Sequence, residues 1–150
     1  MDNIITNKIT LCHPYNSCFY SSFVFLINVS IALYYGYYLY ASLFLVLVIT
    51  SLLYHSQYTI LTNILDKIAI FVIVFYGGYI FYNKITSYIL SKTIFEFKQI
   101  ILTILSTIVL YYYGYLNTCL CFCDDQIEAN LFHSFMHCVS ALGHCCIVFL

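Results

Sequence analysis

Ser51 and His55 stand four residues apart, and so do His133 and His137. At that spacing both side chains of a pair share one face of a helix. Asp66 follows His55 after a short polar connection of Ser56, Gln57, Tyr58, Thr59, Thr62 and Asn63. Neutral imidazole is a favoured zinc ligand, and a three-histidine set leaves a fourth position open for water. Zinc lowers the pKa of such a water from 15.7 to about 7, which gives hydroxide near neutral pH. Each residue also has a plainer reading. A histidine near a helix end is often interfacial, Ser51 can bond back to its own helix, and Asp66 can serve as an N-terminal helix charge worth about 0.3–1 kcal/mol.

The elements that position these residues follow from the scarcity of charge. The 150-residue chain has five basic and six acidic side chains, so that 7% of residues are charged and 63% hydrophobic. An ordinary soluble domain is about a quarter charged. A surface with so few charges does not stay dispersed in water. Nucleic-acid binding is excluded with it, because there is no basic patch, and so is disorder, which needs low hydrophobicity. The composition is that of a multi-pass integral membrane protein.

Charged residues are absent from Ile9 to Leu65, Ile68 to Asn83, Gln99 to Cys123 and Ala129 to Leu150. A crossing takes about 20 apolar residues. The first window therefore predicts a helical hairpin, Cys18–Tyr35 and Leu39–His55, turning at the tyrosine cluster around Gly36. The others predict single spans near Ile64–Asn83, Gln99–Leu116 and Ala129–Leu150. Ile85–Phe97, with Lys84, Lys92, Glu96 and Lys98 in or beside it, reads as an amphipathic surface helix. The expected fold is all-α: a bundle of about five spans, with a short N-terminal segment (1–17) and one transmembrane domain (18–150). Nothing at the start reads as a cleavable signal, and the first span is expected to be an uncleaved anchor. Under the five-span count, Ser51, His55, Asp66, His133 and His137 all fall on the same side of the bilayer.

The order and spacing resemble a family. Ser51-Leu-Leu-Tyr-His55, followed by Leu65-Asp66, resembles the Ser-x3-His…Asp segment of the alkaline ceramidases, members of the CREST superfamily of membrane metal-dependent hydrolases. His133-Ser-Phe-Met-His137, continuing to Ala141-Leu142-Gly143, resembles that family's final-helix pattern. The resemblance covers roughly residues 45–70 and 130–145. It implies a shortened version of a seven-span fold, lacking one hairpin, with zinc on His55, His133 and His137. It also implies that Asp66 and Ser51 act on the attacking water or the reacting carbonyl. Met136 stands where the family commonly has Trp, and the family's acidic, calcium-associated N-terminal segment has no counterpart in Met1–Ser22.

The expected function is hydrolysis of a lipid amide or ester, with a membrane lipid as substrate. The alternative is a non-catalytic membrane protein in signalling, membrane remodelling or an envelope, keeping zinc as a structural clamp. Lys84, Lys92 and Lys98 lie opposite the proposed site. Positive-inside reasoning then puts the site on the lumenal or extracytoplasmic face of an endomembrane or other cellular membrane. Cys119-Leu-Cys121-Phe-Cys123 lacks the usual C-x2-C zinc spacing, and disulfides or lipidation suit these cysteines and the Cys145-Cys146 pair as well. His144 continues the face of His137 about two turns deeper, to line a cavity or bond a neighbour. His13 reads as a residue ahead of the membrane.

Overall fold

A computed structural model describes residues 16–88 and 94–150. The structure is an all-α bundle with five helices long and apolar enough to cross a membrane. Helix α1 is Ser17–Tyr34, with a 3-10 turn at Ser22–Val24, and α2 is Tyr38–Gln57. Helix α3 is Ile60–Tyr88. Helix α4 runs through Ile94–Ile108, a π-turn at Val109–Tyr113 and a last stretch at Gly114–Asn117. Helix α5 is Gln126–Phe149. The lengths follow from the apolar windows: a spanning backbone must satisfy its polar groups internally, which a continuous helix does.

Local signals set the ends. At the α1–α2 turn, Gly36 adopts φ +79°, and the Gly36 and Tyr37 N–H groups donate to Leu33 O (3.1 Å) and Ala32 O (2.8 Å). This is a Schellman close of α1, with glycine at its left-handed position. Helix α3 begins earlier than the expected Ile64, because Thr59 and Thr62 cap one another. Each backbone N–H donates to the other's hydroxyl at 3.2 Å, a reciprocal capping box. Asp66 consequently lies in the second turn of α3, beyond the reach of the helix N-terminus. Asp125 caps α5, its carboxylate accepting from the Ile127 and Glu128 N–H groups.

The amphipathic surface helix expected over Ile85–Phe97 is not a separate element in the described residues. Helix α3 continues through Tyr88 and α4 already begins at Ile94. Lys84 explains part of the difference. Its ammonium donates to the C-terminal carbonyl of Val148 (2.6 Å) and lies over the Tyr37 ring, so a cation ends up at a helix terminus. Residues 89–93, with Lys92, and 1–15, with His13 and most of the N-terminal segment, lie outside the described residues.

The core is built around Tyr40, Phe44, Ile73 and Ile100, with Phe25, Val48 and Ile147 packed beside them. Most large side chains on the outer surface are apolar, as lipid requires. Helix α2 packs on both α1 and α3, and α4 packs on α5. Among the described residues, no α3 Cα comes within 8 Å of an α4 Cα, so these neighbours in sequence are splayed apart. Gly143 brings α5 close to α4: a Cβ there would lie 2.5 Å from Thr103 Oγ1. Small residues permit such backbone approach between membrane helices. Gly143→Val should therefore destabilise the bundle by about 1–3 kcal/mol, with partial rescue by Thr103→Ala. Thermal unfolding of the detergent-purified variants checks both.

Candidate metal centre

Helix α2 carries Ser51 and His55 on its inward face, each 2% exposed. Helix α5 presents His133 and His137 one turn apart, and the two helices bring the three imidazoles together. Ring centroids are 5.2 Å apart for His55–His133, 5.4 Å for His55–His137 and 4.9 Å for His133–His137. One ring nitrogen from each can be chosen so that all three lie within 4.8 Å of one another. Nitrogens bonded to zinc at 2.0–2.1 Å in tetrahedral array stand about 3.4 Å apart. Small side-chain rotations cover that difference.

The donor set fits a metal for a second reason. Both ring nitrogens of His55 are buried without a hydrogen-bond partner. Buried polar groups are nearly always paired, because an unpaired one costs the desolvation it cannot recover. A divalent cation shared with two neighbouring imidazoles is a partner that the protein atoms do not supply. Asp66 carries the same signature: the residue is buried, and its Oδ1 has no partner.

The first helix holds this group in place. Ser21 Oγ lies 2.8 Å from His137 Nδ1 and donates to Cys18 O at 3.1 Å. With its proton on the carbonyl, Ser21 would accept from Nδ1–H and leave the lone pair of His137 on Nε2. That is the usual way an outer partner fixes the tautomer of a metal-binding histidine. Asn16 caps α1, accepting from the Cys18 N–H, and donates to His55 O (2.9 Å) and Tyr58 Oη (2.5 Å). Ser22 donates to Cys18 O at 2.8 Å and lies 2.9 Å from Ser51 Oγ. Sequence reasoning did not single out Asn16, Ser21 or Ser22. The available signal was a polar Asn-Ser…Ser-Ser face at the start of an otherwise apolar span.

A cavity of about 500 Å³ adjoins the centre, and Ser51, Asp66, Lys67, His133, His137 and His144 contribute to its wall. The rest of the lining is almost wholly apolar and comes chiefly from α3, α4 and α5. Phe71, Val74, Ile104 and Ile108 line the cavity and are also exposed on the outer surface. The cavity therefore opens sideways through the gap between α3 and α4. That gap is bridged at one end by the stacked Phe81 and Phe97 rings (5.9 Å), and at the other by Lys67 over Tyr111 (4.9 Å).

His144 does both things expected of it: it lines the cavity and its Nδ1 bonds Tyr40 Oη. Among the described residues, Cys119, Cys121 and Cys123 of the 119–123 run, with Cys18, Cys138 and Cys145, form no disulfide. Among the described residues no second cluster of metal-ligating side chains forms.

Fold and site together define a multi-pass α-helical membrane protein with a three-histidine centre, His55 and His137 buried and His133 half-buried, beside a laterally open apolar cavity. Comparison of the chain with protein-family models, curated proteins and solved structures finds no match. The purified protein should bind close to one divalent metal per chain, and His137→Ala or His55→Ala should abolish this in metal analysis. Ser21→Ala should weaken metal affinity by about 10- to 100-fold while leaving the bundle folded.

Proposed function

We propose that the protein is an integral-membrane, zinc-dependent hydrolase of a lipid amide or ester bond, similar in mechanism to the alkaline ceramidases. The observation that carries this reading is the three-histidine group, with both His55 nitrogens unpartnered, set against an apolar cavity open to the bilayer. Three neutral imidazoles, with no thiolate or further carboxylate among them, favour zinc, with a position left for water. When bound, zinc would supply Lewis acidity and a water acidic enough to ionise near neutral pH.

The remaining work falls to the chain's own residues. Asp66 Oδ1, buried and unpartnered, accepts a proton from the attacking water and returns it to the leaving amine or alcohol. With the Ser22 proton on Cys18 O, Ser51 would be the donor of the 2.9 Å bond between the two serines. Ser51 Oγ then keeps its acceptor capacity and orients the water by taking one of its hydrogens. The apolar lining excludes bulk water, and the gap between α3 and α4 admits a lipid chain from the side. A purely structural zinc clamp needs no cavity against His133 and His137, and the cavity is what favours hydrolysis over that alternative. In this reading the site faces the lumenal or extracytoplasmic side, because positive-inside reasoning puts Lys84 and Lys98 on the cytoplasmic side.

Zinc-loaded protein in lipid nanodiscs should release fatty acid from a panel of N-acyl and O-acyl lipids. Asp66→Asn should lower turnover by about 10²- to 10⁴-fold, with zinc content and melting temperature unchanged. A zinc-loaded wild type inert toward the whole panel would reject the hydrolase in favour of the clamp.

A further inference from the structure

Lys67 has no role in the chemistry above, yet it is the one cation on the cavity wall. It lies seven residues into α3, about 10 Å along the axis from the start of the helix. Near the edge of an apolar span a lysine can turn its ammonium out to the interface, but Lys67 lines the cavity. Among the described residues it forms no ion pair. Its Nζ lies over the Tyr111 ring across the gap between α3 and α4, 4.9 Å from the centroid. Tyr111 belongs to the π-turn Val109–Tyr113, the irregularity in α4, and also lines the cavity. Such turns often occur at functional sites.

The charge balance points the same way. Asp66 and Lys67 are the formally charged residues of the cavity wall, and they cancel. A divalent metal on the histidines would leave the wall net positive. A neutral lipid head group would leave Lys67 with only the tyrosine face, whereas an anionic oxygen would give it a charge-assisted hydrogen bond, roughly twice as strong as a neutral one.

We infer that Lys67, held over Tyr111, is a head-group site for a lipid-borne phosphate. The substrate would then be a phosphate-bearing acyl lipid whose anion lies a few bonds from the scissile carbonyl. This rests on the hydrolase reading for the word substrate, but not for the binding site itself. Asp66 and Lys67 both line the cavity, so the group that moves the proton and the group that holds the anion can address parts of one ligand.

The test compares N-acylsphingosine with its 1-phosphate, which share the same amide and chains and differ in the phosphate alone. Binding to the full chain in zwitterionic nanodiscs is measured by displacement of a tail-labelled lipid. The wild type should prefer the phosphate form by about tenfold or more. Lys67→Gln should reduce the preference to about twofold or less, and Lys67→Arg should keep most of it. Equal wild-type affinities, a preference unchanged in a folded Lys67→Gln, or inorganic phosphate competing as well as the lipid phosphate would each overturn the proposal. Metal content is read on the same samples. A Lys67-dependent preference without bound metal would uphold the head-group site and remove the hydrolase, whereas bound metal without any preference would remove the head-group site and leave the hydrolase to the turnover assay.

Discussion

A polar group that cannot reach water must find its partner inside the protein, and the structure depends on this constraint. The chain has few polar side chains, and those that are buried occur in linked sets. Asn28 donates to Ala141 O and Cys145 Sγ, and Tyr40 joins His144. Ser22 joins Ser51, and Ser21 joins His137. Against that pattern, five buried atoms lack a partner: both ring nitrogens of His55, Asp66 Oδ1, and the amide oxygens of Asn28 and Asn63. Three of the five belong to one region. Orphaned groups scattered through a membrane protein would indicate poor packing, but orphaned groups gathered beside two further imidazoles and a cavity indicate a site.

The same constraint explains why the first helix matters more than its composition suggests. It contributes no candidate ligand, yet its polar residues reach the backbone of His55, the ring of His137 and the hydroxyl of Ser51. Its 3-10 turn at Ser22–Val24 begins at the last residue of this polar face. Consecutive helical residues point about 100° apart, so Ser21 and Ser22 serve different partners on α5 and α2. Helix α1 is thus a brace between the two helices that supply the histidines, and truncating its polar groups would loosen the site without touching a ligand.

Much of the fold was legible because charge is so costly in hydrocarbon. The few charged residues mark the span boundaries to within a few positions, and Gly36 fixes the first turn. Where expectation and structure part, weaker forces decided. The Thr59–Thr62 caps extend α3 at its start, and Lys84 lengthens its other end by finding a carbonyl in α5. The histidine convergence was legible from topology alone, since helix parity fixes which residues share a leaflet. The supporting serines and Asn16 were not, because a hydroxyl in an apolar span bonds its own helix as readily as a neighbour, and only the packing angle chooses between them. The cavity was equally hidden: it arises from the separation of α3 and α4, which no local sequence signal encodes.

That separation links the parts. Helices α2 and α3 pack together, as do α4 and α5, and the ligands are divided between the two pairs, with His55 on one and His133 and His137 on the other. Tight packing of α3 on α4 would fill the cavity and remove the sideways opening. Free separation would pull His55 away from its partners. The structure avoids both outcomes by joining the pairs through α1, through Tyr40 and Phe44 of α2 against His144 of α5 and through contacts of α3 with α5, and, among the described residues, by bridging the gap at its ends. An ion held by all three histidines would join the pairs at a further point. Metal affinity and the width of the cavity are therefore coupled through the same helix positions, and a change that tightens one is expected to narrow the other.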